Sequence, residues 1–259
     1  MSLIYEPKGK AREYSPLALN VYTMGCEHQC NYCYCKNLTT WGAMPKVRDL
    51  TGLAREAQKT DRQILLSFMS DPYAPIEATQ RNARIALSIL KESRCSVAIL
   101  TKGGTRCLDD LDMFSSWPDN RIKVGATLTF MSETKSLQYE PGAALPQNRI
   151  DALQCLSENG IMTWASIEPV IDPQESLAII EASLPYVDAY KVGRLNHVKN
   201  TTDWNAFGTE AVTMIRKAGK RLYVKDDLRA AMTGFIFTDA ETDYESLTLP
   251  DRPEEAMLL

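Results

Sequence analysis

Two rhythms of apolar and polar positions take turns along this chain. Short apolar runs at Leu17–Tyr22, Gln63–Phe68, Ser96–Thr101, Ile122–Thr129, Ile161–Ile167 and Val187–Val192 read as strands. The near-continuous apolarity of the run at Gln63–Phe68 is what a parallel strand buried on both faces requires. Between these runs the period lengthens to that of a helix. Thr79–Glu92 places Ala83, Ala86, Leu87 and Leu90 on one face. Further helices are expected over Asp49–Thr60, Arg106–Ser115, Gln147–Asn159 and Trp204–Ala218, the third of these closed by Gly160 just past its end. Asp172-Pro173-Gln174-Glu175 opens another with an N-cap, a proline at the first helical position and a reciprocal acid. Leu222–Val224 reads as one more short strand ahead of a helical turn at Asp226–Met232, and Phe130–Pro146 as a long connection.

Alternating strands and helices call for a parallel sheet with right-handed crossovers. The expected fold class is α/β: a partial (β/α)6 TIM-like barrel with a short C-terminal extension. In such folds chemistry collects at the C-terminal ends of the strands. No repeat or low-complexity linker divides the chain, so residues 1–237 read as one core domain and 238–259 as an acidic tail.

Charge sharpens that boundary. The chain carries a net charge of −4 over 259 residues, with 44% apolar and 24% charged residues, as in an ordinary soluble enzyme. Seven acids against Arg252 alone fall within 238–259, which predicts a solvated end. The remaining body is mildly positive, too weakly so to announce a nucleic-acid-binding protein. No apolar run reaches the length of a membrane span, and the first twelve residues lack the apolar core of a secretion signal. With seven cysteines, an odd number, this predicts a reducing cytoplasm.

Four of those cysteines fall in Cys26-Glu-His-Gln-Cys30-Asn-Tyr-Cys33-Tyr-Cys35. A core needs no such spacing, so the crowding argues for metal, and thiolate is the ligand that iron–sulfur clusters select. Three cysteines in C-x3-C-x2-C would hold three irons of a [4Fe–4S] cluster and leave one coordination position open, the mark of a reactive site. The competing reading is a zinc site completed by His28 and Cys35. Its spacing lacks the second, distant ligand pair that zinc modules use.

Cys26, Cys30, Tyr32 and Cys33, with Gly25 before them, resemble the C-x3-C-x-aromatic-C signature of the radical S-adenosylmethionine superfamily. The segments Lys8–Arg12, Asn20–Cys26, Ser70–Tyr73, Leu100–Lys102 and Glu140–Gly142 resemble its spore photoproduct lyase-related branch over approximately residues 8–200. The resemblance implies that Cys26, Cys30 and Cys33 bind the cluster, whose open iron chelates S-adenosylmethionine. Reductive cleavage would then yield a 5′-deoxyadenosyl radical that abstracts hydrogen from a substrate. It also implies a one-electron reductant such as flavodoxin or ferredoxin. The lyase's hydrogen-donor cysteine has no counterpart, since no cysteine stands between Lys36 and Arg94.

Polar residues just after each strand are the candidates for ligand contact. Tyr32 is expected near the adenine, and Ser70 and Asp71 as acceptors for the methionyl ammonium. Lys102 is the candidate partner of the methionyl carboxylate, with Thr127 and Glu168 for the ribose. Tyr73, Lys191, Arg194 and Asn196 are candidates for substrate, and no catalytic residue is assigned. The expected substrate is a nucleobase, nucleotide or modified nucleic acid, the alternative a peptide or small metabolite. A zinc-stabilised nucleic-acid-binding protein is the reading of another class.

Overall fold

A computed structural model describes residues 2–38, 40–195 and 201–249. Ten strands are present: β1 Ile4–Tyr5, β2 Leu17–Leu19, β3 Tyr22–Thr23, β4 Lys46–Val47, β5 Ile64–Leu66, β6 Val97–Thr101, β7 Ile122–Thr127, β8 Met162–Ile167, β9 Ala189–Val192 and β10 Arg221–Val224. Eight form one sheet in the order β1-β2-β5-β6-β7-β8-β9-β10, all parallel except β1 against β2. The barrel-like α/β fold stands, with the short strand at Leu222–Val224 adding a seventh parallel member to the six expected. β3 and β4 form a separate antiparallel hairpin.

The helices lie outside, and alternation along each strand divides the core. Outward positions such as Leu66, Ile99 and Val124 join one large apolar cluster, and Ala165, Ile167, Val192 and Val224 another. Inward positions are fewer and more polar: Leu65, Ala98, Trp164, Ala189 and Tyr223 form a small inner cluster, with Lys123 and Lys191 buried on the same faces of their strands. Trp164 crosses the lumen and donates its indole N–H to the Ile99 carbonyl at 2.9 Å. Gly125 makes this possible, because a Cβ there would overlap the indole.

Two segments outside the sheet complete the barrel. At the open seam between the sheet edges β1 and β10, Glu13 accepts hydrogen bonds from the Tyr223 hydroxyl at 2.7 Å and the Asp226 N–H at 2.9 Å. At the lower end Leu247 and Leu249 are buried, and the Lys123 ammonium donates to the Leu247 carbonyl. The Leu249 N–H donates to Gln63 Oε1 at 3.0 Å.

As far as residue 249 the acidic segment is docked on the barrel while Asp239, Asp243 and Glu245 stay exposed, and its expected solvated end lies outside the described residues. Its acids had suggested solvation, but Glu241 closes a capping box on Thr238 and pairs with Arg216. The connection at Phe130–Pro146 contains a helix, Glu133–Tyr139, capped by Ser132. Asp172 caps its helix as expected. Glu175 instead reaches across to accept the N–H groups of Met131 and Ser132, at 3.0 and 2.7 Å.

Candidate active site

The cysteine loop leaves the β2 end and is closed by successive turns, with Gln29 N–H to the Cys26 carbonyl at 3.3 Å and Cys33 N–H to the Cys30 carbonyl at 3.1 Å. The segment after the helix Glu133–Tyr139 holds it from the side. The Asn31 N–H donates to the Tyr139 carbonyl at 2.7 Å, and the Gly142 N–H to the His28 carbonyl at 3.0 Å. Gly142 permits that approach, since a Cβ there would overlap the Glu27 carbonyl. All seven cysteines are free thiols. Burial pushes the Cys30 thiol up to about 11, with Lys102 opposing. The hydrogen bond from Cys35 draws Cys33 down to about 6, with Lys102 helping.

Lys102 is the charge these thiols share, acting on Cys26, Cys30 and Cys33 alike. Its ammonium lies 5.6 Å from the centre of the Tyr32 ring and has no ion-pair partner among the described residues. Burial works against its charge, but Cys30 and Glu140 outweigh that and hold its pKa above the ordinary lysine value. Its backbone is fixed by Asp71, which accepts the Lys102 N–H at 2.7 Å, the Tyr73 N–H at 2.8 Å and the Thr101 hydroxyl at 2.5 Å.

Behind the loop lies a buried chain of polar groups. Tyr32 donates its hydroxyl to Glu140, which also accepts from Thr129 at 3.1 Å and pairs with Arg149. Arg149 further donates to the carbonyls of Ala144 at 2.8 Å and Thr127 at 2.9 Å. Burial opposes ionisation of Glu140, yet Arg149 and Lys102 prevail and hold its carboxyl below the ordinary glutamate value. His28, buried and lowered to about 4 by desolvation, is neutral. Arg106 donates to its Nε2 at 3.2 Å, so the proton sits on Nδ1, facing Asp71 at 3.4 Å. Among the described residues no group of three or more His, Cys, Asp or Glu side chains is placed to hold a metal ion.

The donor set suits an iron–sulfur cluster. Lys102, Arg106 and Arg149 stand near the thiols together with the acids Asp71 and Glu140. A cubane held by three thiolates is anionic, and these cations would face it. The buried Ser70 hydroxyl has no hydrogen-bond partner, an unmet demand that a ligand satisfies.

The structure thus brings Cys26, Cys30, Cys33, Tyr32, Asp71 and Lys102 together, with Thr127 joined through its carbonyl. Three candidates are already engaged by the protein itself. Asp71 has both oxygens engaged within the protein. Tyr73 is buried in the outer core with its hydroxyl on Asp110 at 2.9 Å, because the Ser-Asp-Pro turn rotates it out of the lumen. Lys191 is buried inside, donating to the backbone carbonyls of Glu13, Tyr14 and Tyr244. Glu168 stands apart from the thiols in a second polar group, accepting from the Tyr14 hydroxyl at 2.7 Å and pairing with Lys225. Arg194 follows β9 and is half-buried, and Asn196 lies outside the described residues. Glu140, Arg149, Tyr14 and Lys225 went unassigned in the sequence. Only Glu140 carried a signal, as an acid in the Glu-Pro-Gly segment.

The architecture, with the cysteine loop at the strand ends, is the fold of solved radical SAM structures. A point variant of spore photoproduct lyase superposes with a TM-score of 0.65 at 11% identity, covering 82% of this chain and 76% of that one. SuiB of Streptococcus suis bound to S-adenosylmethionine superposes at 0.60 and 11% identity, covering 80% of this chain and 46% of its own. Both are radical SAM enzymes, and the expected resemblance is borne out in the fold. No family model matches the chain. The chain belongs to one family with an uncharacterized protein of Methanocaldococcus jannaschii, 33% identical over 187 residues that cover 69% of this chain and 70% of the other.

Proposed function

We propose that this chain is a radical SAM enzyme in which Cys26, Cys30 and Cys33 hold a [4Fe–4S] cluster. The observation that carries the reading is the convergence of three thiols on one lysine, free of any ion pair among the described residues, at the strand ends of a radical SAM fold. When bound, cluster and S-adenosylmethionine supply one-electron cleavage of a sulfonium and abstraction of hydrogen from an unactivated C–H bond.

The chain's own residues have separable tasks. Lys102 offers a desolvated cation for the methionyl carboxylate, and the Ser70 hydroxyl accepts from the ammonium. Tyr32, its hydroxyl fixed on Glu140, presents a rigid ring face to the adenine. Asp71 acts through others, holding the Lys102 backbone and the His28 tautomer. Thr127 and Glu168 remain the candidates for ribose, and Arg194 and Asn196 for substrate. The lumen is closed below by residues 244–249, which leaves the strand-end mouth as the place of reaction.

For the substrate we favour a nucleobase, nucleotide or modified nucleic acid. Spore photoproduct lyase structures hold a dinucleoside spore photoproduct, and they cover 78% of this chain. SuiB bound to a precursor peptide supports the peptide alternative, but this chain spans only 46% of SuiB. An oxygen-sensitive cluster needs a reducing compartment, and we assign the protein to the cytoplasm. No helix among the described residues is long and apolar enough to cross a membrane.

Anaerobic reconstitution with iron and sulfide, then dithionite and S-adenosylmethionine, tests the reading. About four irons per chain, a cofactor-dependent change in the reduced EPR signal and release of 5′-deoxyadenosine are expected. A colourless protein that retains zinc and releases no 5′-deoxyadenosine overturns it.

A further inference from the structure

Seven large apolar side chains stand exposed among the described residues, and five of them, all but Ile85 and Ile236, belong to segments around the cysteine loop. Tyr34, Leu38, Met44 and Val47 all fall in the stretch that follows the cysteine motif. Leu137, a fifth, lies on the helix Glu133–Tyr139, whose last carbonyls bind Asn31 of the cysteine loop. These five are between 43% and 65% exposed. Single exposed apolar residues are ordinary on a protein surface, but several around one short loop mark a contact site.

The stretch is held in place around the loop. The Gly42 N–H donates to the Met24 carbonyl at 2.7 Å, and the Gln29 amide to the Ala43 carbonyl at 3.2 Å. The Tyr34 hydroxyl donates to the Phe68 carbonyl at 2.9 Å, which pins an exposed ring in one position. The β3–β4 hairpin sets Lys46 and Val47 at its edge. The surface is therefore preorganised, and docking needs little ordering of it.

Its charge is the reverse of the whole chain's. Between His28 and Arg48 stand Lys36, Lys46 and Arg48 and no acid, in a protein of net charge −4. Lys36 and Lys46 are exposed. An apolar centre with a cationic rim beside the thiols matches a partner with an apolar centre and an acidic rim.

We propose that this collar, Tyr34, Leu38, Met44, Val47 and Leu137 with Lys36 and Lys46, is the docking surface for a small acidic one-electron carrier protein. The proposal rests on the radical SAM reading, which requires electrons to reach the cysteine loop singly. Electron transfer weakens steeply with distance, so the donor must dock near the loop, which the exposed Tyr34, Lys36 and Leu38 follow directly. One electron leaves the carrier and one enters the cluster, and no proton or group moves. A nucleic-acid strand fits less well. Leu38, Met44, Val47 and Leu137 have no ring on which a base stacks, and two exposed cations make a short track for phosphates.

The test is stopped-flow reduction of the reconstituted protein by photoreduced flavodoxin, with dithionite in parallel. The wild-type rate with flavodoxin is expected to fall about tenfold as salt rises from about 50 to 300 mM, because steering between charged surfaces is screened. Lys36→Glu/Lys46→Glu is expected to lose a similar factor at low salt, while its rate with dithionite stays within about twofold of wild type. Lys36 also donates to the Gln29 carbonyl at 3.2 Å. Met44→Gln/Val47→Gln, which leaves the charges and that bond alone, therefore serves as the second variant, with the same outcome expected.

Equal flavodoxin rates in wild type and both variants overturn the proposal and leave the radical reading standing. So does tight binding of a labelled DNA oligonucleotide that the lysine variant abolishes while flavodoxin rates hold. A wild-type protein that takes up no iron overturns the radical reading, and the proposal with it.

Discussion

Arg149→Met removes one partner of an ion pair buried on both sides. Arg149 and Glu140 have side chains only 2% and 1% exposed. Truncating one member of a buried pair strands the other's charge at a cost of roughly 3–5 kcal/mol. Here the Ala144 and Thr127 carbonyls lose their donors as well, each worth about 1 kcal/mol. The facing Lys102 offsets part of this, so the expected loss is about 4 kcal/mol. Glu140→Gln/Arg149→Met removes both charges of the pair and should recover at least about 2 kcal/mol of it, a coupling within the range of contacting pairs.

Urea unfolding of the metal-free protein, followed by far-UV circular dichroism, measures both, with unchanged m-values showing that only stability moved. A single variant within about 1 kcal/mol of wild type, or additive effects in the pair, refutes the argument. The pH dependence has a fixed sign. The folded-state carboxyl of Glu140 titrates below its unfolded value, so its contribution is complete above about pH 4.3 and is lost as pH falls through the lowered value. The stability gap between wild type and Glu140→Gln should therefore close on acidification.

Cys26→Ala, Cys30→Ala and Cys33→Ala should each reduce reconstituted iron severely, whereas Cys35→Ala should retain it; iron assay and visible absorbance decide. Lys102→Met, with the cluster loaded, should weaken S-adenosylmethionine binding about tenfold or more, as expected for loss of a desolvated charge-assisted contact; equilibrium dialysis that finds unchanged affinity removes the lysine from the site. Gly142→Ala should impair cluster retention, because the new methyl group displaces the Glu27 carbonyl; an unchanged iron content would show that the loop accommodates it. Glu241→Gln weakens both the capping box and the pair with Arg216. It should cost about 1–2 kcal/mol, read as a shift in the urea midpoint.

The cysteine motif and the strand rhythm were legible because each depends on short-range spacing. Thiols for a cluster must sit a few residues apart, and the apolar runs at Ile64–Leu66 or Ile122–Thr127 reflect burial on two faces. Side-chain direction was harder to read. Tyr73 and Asp71 follow the strand end as a ligand contact should, yet a tight turn commits one to the outer core and the other to its neighbours' N–H groups. Lys191 read as a substrate contact, because nothing local announces the carbonyls that reach it, or Lys123, from other parts of the chain. The same holds for Glu140 and Arg149, whose pairing exists only once the helix Pro146–Glu158 packs on β7. The acidic tail was only partly legible for a related reason. Its composition described the exposed positions and concealed Leu247 and Leu249.

The closures of the barrel are far apart in sequence. Lys191 reaches back to Glu13 across 178 positions, Tyr223 across 210, and Leu249 to Gln63 across 186. During synthesis the cysteine loop emerges before the segments that seal seam and floor. The thiols therefore leave the ribosome before Lys102 and Arg149 exist to surround them. Enclosure of the site waits on the stretch at 244–249, whose contacts reach back to parts of the chain made earlier.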